Sequence, residues 1–181
     1  MPNVRNLPSD NYAKYALLVM YAWDMSDAHL DPASPVVDVR VAADGWKVVG
    51  IITGADDIIA SSPNGIRIGM IRPGPDRVRY GYLAQNNADP NVHAAVIRGT
   101  DHAEEWIDDF DFFSASKPPL PGRVESGFAD IYFSMQYWPL ANPGAAPVKL
   151  SEGIKEAVGP AEVVVLGHSV NRHAIRTPFS G

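Results

Sequence analysis

The chain has no cysteine. A disulfide framework and a cysteine metal site are both excluded, and the redox state of the protein's compartment leaves no trace in the sequence. Basic charge is scarce. Fifteen Lys and Arg stand against 21 Asp and Glu, a formal net charge of −6. No basic face is available to neutralise phosphates, which argues against nucleic acid as a partner. Long apolar runs are also lacking. The stretch Tyr15 to Trp23 (YALLVMYAW) is too short to span a bilayer, so no integral membrane segment is expected. It carries three bulky aromatics, and no small-x-small cleavage site follows it. It therefore reads as an N-terminal helix of the domain rather than a signal peptide, and a cytoplasmic location is the simplest expectation.

What is present is ordinary for a globular protein. The 181 residues are 46% hydrophobic and 20% charged, enough for one domain with its own core. Ser9-Asp10-Asn11 is a plausible cap ahead of a helix over Tyr12 to Met25, with Tyr15, Leu18, Val19 and Ala22 on one face. Val37, Val39 and Val41 alternate with Asp38 and Arg40, which predicts a strand. Asp44-Gly45 then turns the chain into a second strand, Trp46 to Thr53, and the two are expected to form a hairpin. Ile58-Ile59 and Ile66 to Ile71 flank another turn. Val78 to Ala84 alternates, with Val78, Tyr80, Tyr82 and Ala84 on one side, and Val92 to Ile97 is an apolar strand.

The second half changes character. Asp101 to Phe112 is acidic, with Trp106, Ile107 and Phe110 at helical spacing. Phe128, Ile131, Tyr132 and Met135 repeat as on a buried helix face. Trp138 to Pro147 holds three prolines and reads as a loop. Leu150, Ile154 and Val158 make a shorter helix, stopped by Gly159-Pro160. Then comes AEVVVLGHSVN, Ala161 to Asn171. Val163 to Leu166 is a continuous apolar run, as in a parallel strand covered on both faces. A strand running into Gly167-His168-Ser169 is the front of a nucleophile elbow, the tight turn that lifts a serine hydroxyl above the strand end. Asn171 stands where that motif has a second glycine, and asparagine tolerates left-handed backbone better than most residues. The fold class expected is α/β: N-terminal strands and hairpins, then helices, then a central parallel strand ending in the elbow.

Three blocks in order resemble the class 3 lipases, the fungal-lipase-like branch of the α/β-hydrolases. They are Tyr80-Gly81-Tyr82 through Ile97-Arg98-Gly99-Thr100 with Trp106-Ile107-Asp108-Asp109; Gly127-Phe128 with Ile131-Tyr132; and Val163 to Ser169. The resemblance implies a partial α/β-hydrolase fold and hydrolysis of carboxylic esters, acylglycerols among them, through a serine nucleophile. It makes Ser169 the nucleophile. Backbone N–H groups of Thr100 and Val170 would form the oxyanion hole, with the Thr100 hydroxyl as a further donor. His168 matches a motif histidine that is not the catalytic one, and Asp108 and Asp109 match a helix that supports the turn. The expected partner is an ester or lipid substrate, with no metal and no cofactor.

The resemblance stops after Val170. The family's Asp and His lie well downstream of the elbow, yet the residues after Ser169, VNRHAIRTPFSG, contain no acid, and the last one in the chain is Glu162. Arg172, His173, Arg176 and Pro178 make no apolar helical face. Residues 1–170 are therefore expected to be the front part of a single hydrolase domain, cut short, and 171–181 an atypical tail. A half-sheet ending on its central strand exposes an apolar edge, and self-association is one way to cover it.

A serine hydroxyl needs a general base. His173, four residues on, would share a helical face with Ser169, but an elbow serine points away from a following helix. His102, just past the oxyanion turn with Asp101 and Glu105 nearby, is the substitute base that the order of the chain suggests. Its bland reading is an ordinary first-turn helix residue. His29 and His93 read as loop and strand residues without a role. The acidic run Asp101 to Asp111 lacks the spacing and central glycine of a calcium loop, and no two histidines are spaced for a zinc helix. Two functions remain open: surviving ester hydrolysis, and a catalytically silent fragment or binding remnant.

Overall fold

A computed structural model describes residues 9–28, 34–55, 58–60, 69–71, 77–99, 114–115, 124–125, 132–142 and 144–167. Its centre is a six-stranded mixed sheet. In chain order the strands of that sheet are β1 (Trp46–Ala55), β4 (Arg77–Asn86), β5 (Val92–Ile97), β8 (Gln136–Pro139), β9 (Val148–Lys149) and β10 (Glu162–Gly167). Two short ribbons stand apart from it. One pairs β2 (Ile58–Ala60) with β3 (Gly69–Ile71), and the other pairs β6 (Ser114–Ala115) with β7 (Val124–Glu125). The spatial order of the large sheet is β10-β5-β4-β1-β8-β9. Every neighbouring pair is antiparallel except β10 with β5, which run parallel.

Successive residues of a strand point to opposite faces, and here each face carries its own core. Ile51, Tyr82, Ala94 and Val96 join Leu18, Tyr21, Ala22 and Met25 of helix α1 (Ser9–Asp27). Ile52, Leu83 and Ala95 join Leu150 and Val158 of helix α3 (Leu150–Val158). The apolar run Tyr15 to Trp23 is thus the middle of a helix packed on the sheet. Leu18 is fully buried, and Tyr15 and Val19 pack against the same cluster as the helical spacing required. No described helix is long and apolar enough to cross a membrane. On the other face α3 lies directly on the Tyr137 ring: a Cβ at Gly153 would stand 2.4 Å from it, so only glycine lets the helix approach this closely.

Four expectations need correction. Val37 to Val41 is not a strand, and the hairpin with Trp46 to Thr53 does not form. Residues Val39–Ala43 are helix α2, started by Asp38, whose side chain accepts a hydrogen bond from the Arg40 N–H. The cap outweighs the alternation because Val39, midway between Val37 and Val41, stays 80% exposed and gains nothing from a strand's facing. β1 instead pairs with β4 and β8. The loop expected from Trp138 begins later, since Trp138 and Pro139 belong to β8 and the indole Nε1 donates to the buried Thr53 hydroxyl at 3.0 Å.

The third correction concerns Tyr80. It does not share a face with Tyr82. β1 and β4 slip register between Ile52–Gly81 and Thr53–Arg79, leaving Tyr80 as an extra residue. That bulge turns Tyr80 toward the α3 side while Tyr82 and Ala84 stay on the α1 side. The fourth concerns β10, which is parallel as expected but not covered on both faces. Val163 and Leu166 pack into the two cores, whereas Val165 is 74% exposed, and β10 is an edge strand of the sheet among the described residues.

Candidate functional site

The parallel pairing decides where the chemistry-bearing segments leave the sheet. β10 and β5 run in step from Glu162 beside Val92 to Gly167 beside Ile97, without a slip. The chain therefore leaves both strands at the same edge, with Ile97 and Gly167 side by side. In α/β sheets this carboxyl edge of parallel strands is where ligands bind. Ser169, Val170, Thr100 and His102 themselves lie outside the described residues, as do Asp101, Glu105, Asp108, Asp109, His29, His168 and His173. Gly167 is described and exposed, and a Cβ there would meet only the Ile97 carbonyl at an ordinary 3.6 Å. Within the described residues, then, nothing at Gly167 demands glycine.

The edge is held by a residue that sequence reasoning treated only as part of a motif. Arg98 is 3% exposed. Its backbone N–H extends the ladder beyond β5 by donating to the Tyr80 carbonyl at 2.7 Å. Its Nε donates to the Arg79 carbonyl and its Nη1 to the Gly99 carbonyl, both at 2.9 Å. The guanidinium carbon stands 4.7 Å from the Tyr80 ring centroid and 5.5 Å from that of Trp23. A buried cation is tolerated only when its donors are met, and these two carbonyls and two aromatic faces are part of what meets them. The bulge at Tyr80 presents the receiving carbonyl, so the irregularity in β4 and the end of β5 are parts of one arrangement.

Arg79 anchors the same corner from below. It is 4% exposed, and its guanidinium donates to the carbonyls of Val36 at 2.6 Å and of Ser34, tying the segment ahead of α2 to β4. Neither arginine was singled out from the sequence, because charged residues read as solvated by default. The available signal was position: each sits inside or directly after an otherwise apolar strand.

His93 is the one histidine among the described residues, and it does not belong to this edge. It is the second residue of β5, so roughly four strand residues, about 13 Å, separate it from Ile97. It is 3% exposed, and its Nδ1 has no hydrogen-bond partner among the described residues. Burial pushes its imidazole below the usual histidine range. Its neighbours across the ladders are Gln85 and Val163. It is a strand residue, as the sequence suggested, and the structure adds that it is buried.

An α/β protein with a mixed sheet, two helical layers and the ends of two adjacent parallel strands side by side is compatible with part of an α/β-hydrolase fold. The family model described as Lipase (class 3) matches residues 94–170, from β5 through the segment after β10. The chain is class 3 lipase-like across that stretch, which supports lipase-type ester hydrolysis in general terms and an ester or lipid as substrate. No curated protein and no solved structure matches the chain.

Proposed function

We propose that this chain carries the serine acyl-transfer site of a lipase-type ester hydrolase. Ser169 is the nucleophile. A base takes its proton, the oxygen attacks the ester carbonyl, and the negative charge gathers on the carbonyl oxygen. Backbone N–H groups of Thr100 and Val170 stabilise that oxyanion. The alcohol leaves with the proton, and water then repeats the sequence to release the acid and restore Ser169. His102 is the base that the order of the chain favours, with His173 or a second subunit as the other sources. The observation that carries this reading is the unbroken parallel register that ends with Gly167 beside Ile97, so that the two segments set out from neighbouring strand ends.

A second reading is a catalytically silent binding remnant. The one described histidine, His93, stands at the far end of β5 from Ile97, so a base for Ser169 has to come from outside the described residues. Intact-mass analysis after incubation with a fluorophosphonate separates the two. A single adduct that disappears in Ser169→Ala is the outcome expected of an activated serine. Folded protein that takes no adduct removes the hydrolase reading for this chain and leaves the silent one.

A further inference from the structure

We infer that Arg98 is a positioning residue whose guanidinium clamps the Gly99 carbonyl to the β4 bulge and so aims the peptide that follows β5. The inference deepens the acyl-transfer reading above and rests on it for its consequence in catalysis. The geometry itself is independent of that reading. One fork spans two carbonyls, Arg79 through Nε and Gly99 through Nη1, each at 2.9 Å. The Tyr80 and Trp23 rings hold the plane of the fork between the bulge and α1. Gly99 is buried and carries no side chain of its own to fix its peptide. A trans peptide is planar, with its C=O and N–H pointing in opposite directions. Holding the Gly99 oxygen on the guanidinium therefore fixes the plane of that carbonyl. In the acyl-transfer reading the N–H that follows this carbonyl is an oxyanion donor, so a fixed carbonyl plane would set that donor before substrate arrives.

Lysine cannot reproduce this, since a single ammonium lacks the planar fork that spans two acceptors. The test compares the full chain with Arg98→Lys and Arg98→Met by two readouts. The first is amide hydrogen exchange of the peptide covering residues 97–101, referenced to peptides from β1 and α1. The second is the rate at which a fluorophosphonate labels Ser169. Both variants are expected to exchange at the turn about tenfold faster or more, with the reference peptides unchanged. Both are expected to label about tenfold more slowly or worse. If Arg98→Met fails to fold, Arg98→Lys decides alone.

Unchanged exchange at the turn overturns the clamp whatever labelling does. Equal loss of protection in the turn and in the reference peptides also overturns it, because Arg98 would then support only the fold. Faster turn exchange with wild-type labelling refutes the role in aiming the donor. A parent chain that takes no label while the turn still loosens in both variants upholds the clamp and removes the acyl-transfer reading.

Discussion

Gly81 gives the sharpest test of how the candidate site is built. It faces Ile97, the last residue of β5. A Cβ added there would lie 1.8 Å from the Val96 carbonyl oxygen and 2.8 Å from its carbon, both backbone atoms. Real Cβ atoms keep at least 3.0 Å, so the shortfall is about 1.2 Å, and no side chain can rotate away to absorb it. β4 and β5 would have to part by that amount, and a ladder bond near 2.9 Å stretched to about 4 Å is no longer a hydrogen bond. Overpacking of this kind costs about 1–3 kcal/mol, and each ladder bond lost adds about 1 kcal/mol. The stiffer unfolded chain of alanine offsets only about 0.4–1 kcal/mol. Gly81→Ala is therefore expected to lose about 3 kcal/mol, measured as a shift of the urea midpoint at constant slope. Gly45→Ala is the control: Gly45 has φ +84° with nothing within 4 Å, so its cost is backbone strain alone, about 1–2 kcal/mol. A Gly81→Ala protein within about 1 kcal/mol of the parent, or more stable than Gly45→Ala, would refute the close β4–β5 approach.

Two further outcomes follow from buried polar groups. The unfolded chain protonates His93 near its ordinary 6.5, while burial holds the folded value lower. Stability is therefore full above that ordinary value, falls as pH drops toward the folded pKa, and falls no further below it. His93→Gln should flatten this part of the profile, read as urea midpoints between about pH 7.5 and 5. An unchanged profile would show that His93 does not titrate against folding. The Tyr82 hydroxyl donates to the Leu18 carbonyl at 2.8 Å from a fully buried ring, and burial pushes the phenol above its usual range. Tyr82→Phe should cost about 1 kcal/mol in the same assay, and a neutral result would mean that this bond does not hold α1 to the sheet.

What was legible in the sequence had one periodicity and one environment. Trp46 to Thr53, Val78 to Ala84, Val92 to Ile97 and Val163 to Leu166 all became strands, because continuous or alternating apolar residues have few other ways to be buried. Leu150 to Val158 became α3 for the same reason at helical period. The failures came where a local interaction beat the pattern. Asp38 capped a short helix across an alternating run, and one extra residue at Tyr80 reversed the facing of a strand end. The parallel pairing beneath the candidate site was legible, while Ser169, Thr100, Val170 and His102 lie outside the described residues. The Arg98 clamp was not legible, because nothing in the letters Arg-Gly-Thr tells a buried guanidinium from a solvated one.

The parallel pairing also sets an order in time. β4 and β5 are joined by a short turn and can zip as soon as both exist, but Ile97 meets Gly167 only across about 70 residues of intervening chain. Closing so long a loop is slow, and contacts of high sequence separation form late. On the ribosome, β10 emerges after every other strand of the sheet. The meander of β1, β4 and β5 would be assembled while its parallel neighbour was still being made. The two sides of the candidate site would be joined only in the closing stage of folding. A chain stalled before residue 162 would hold most of the sheet and only one of the two strand ends.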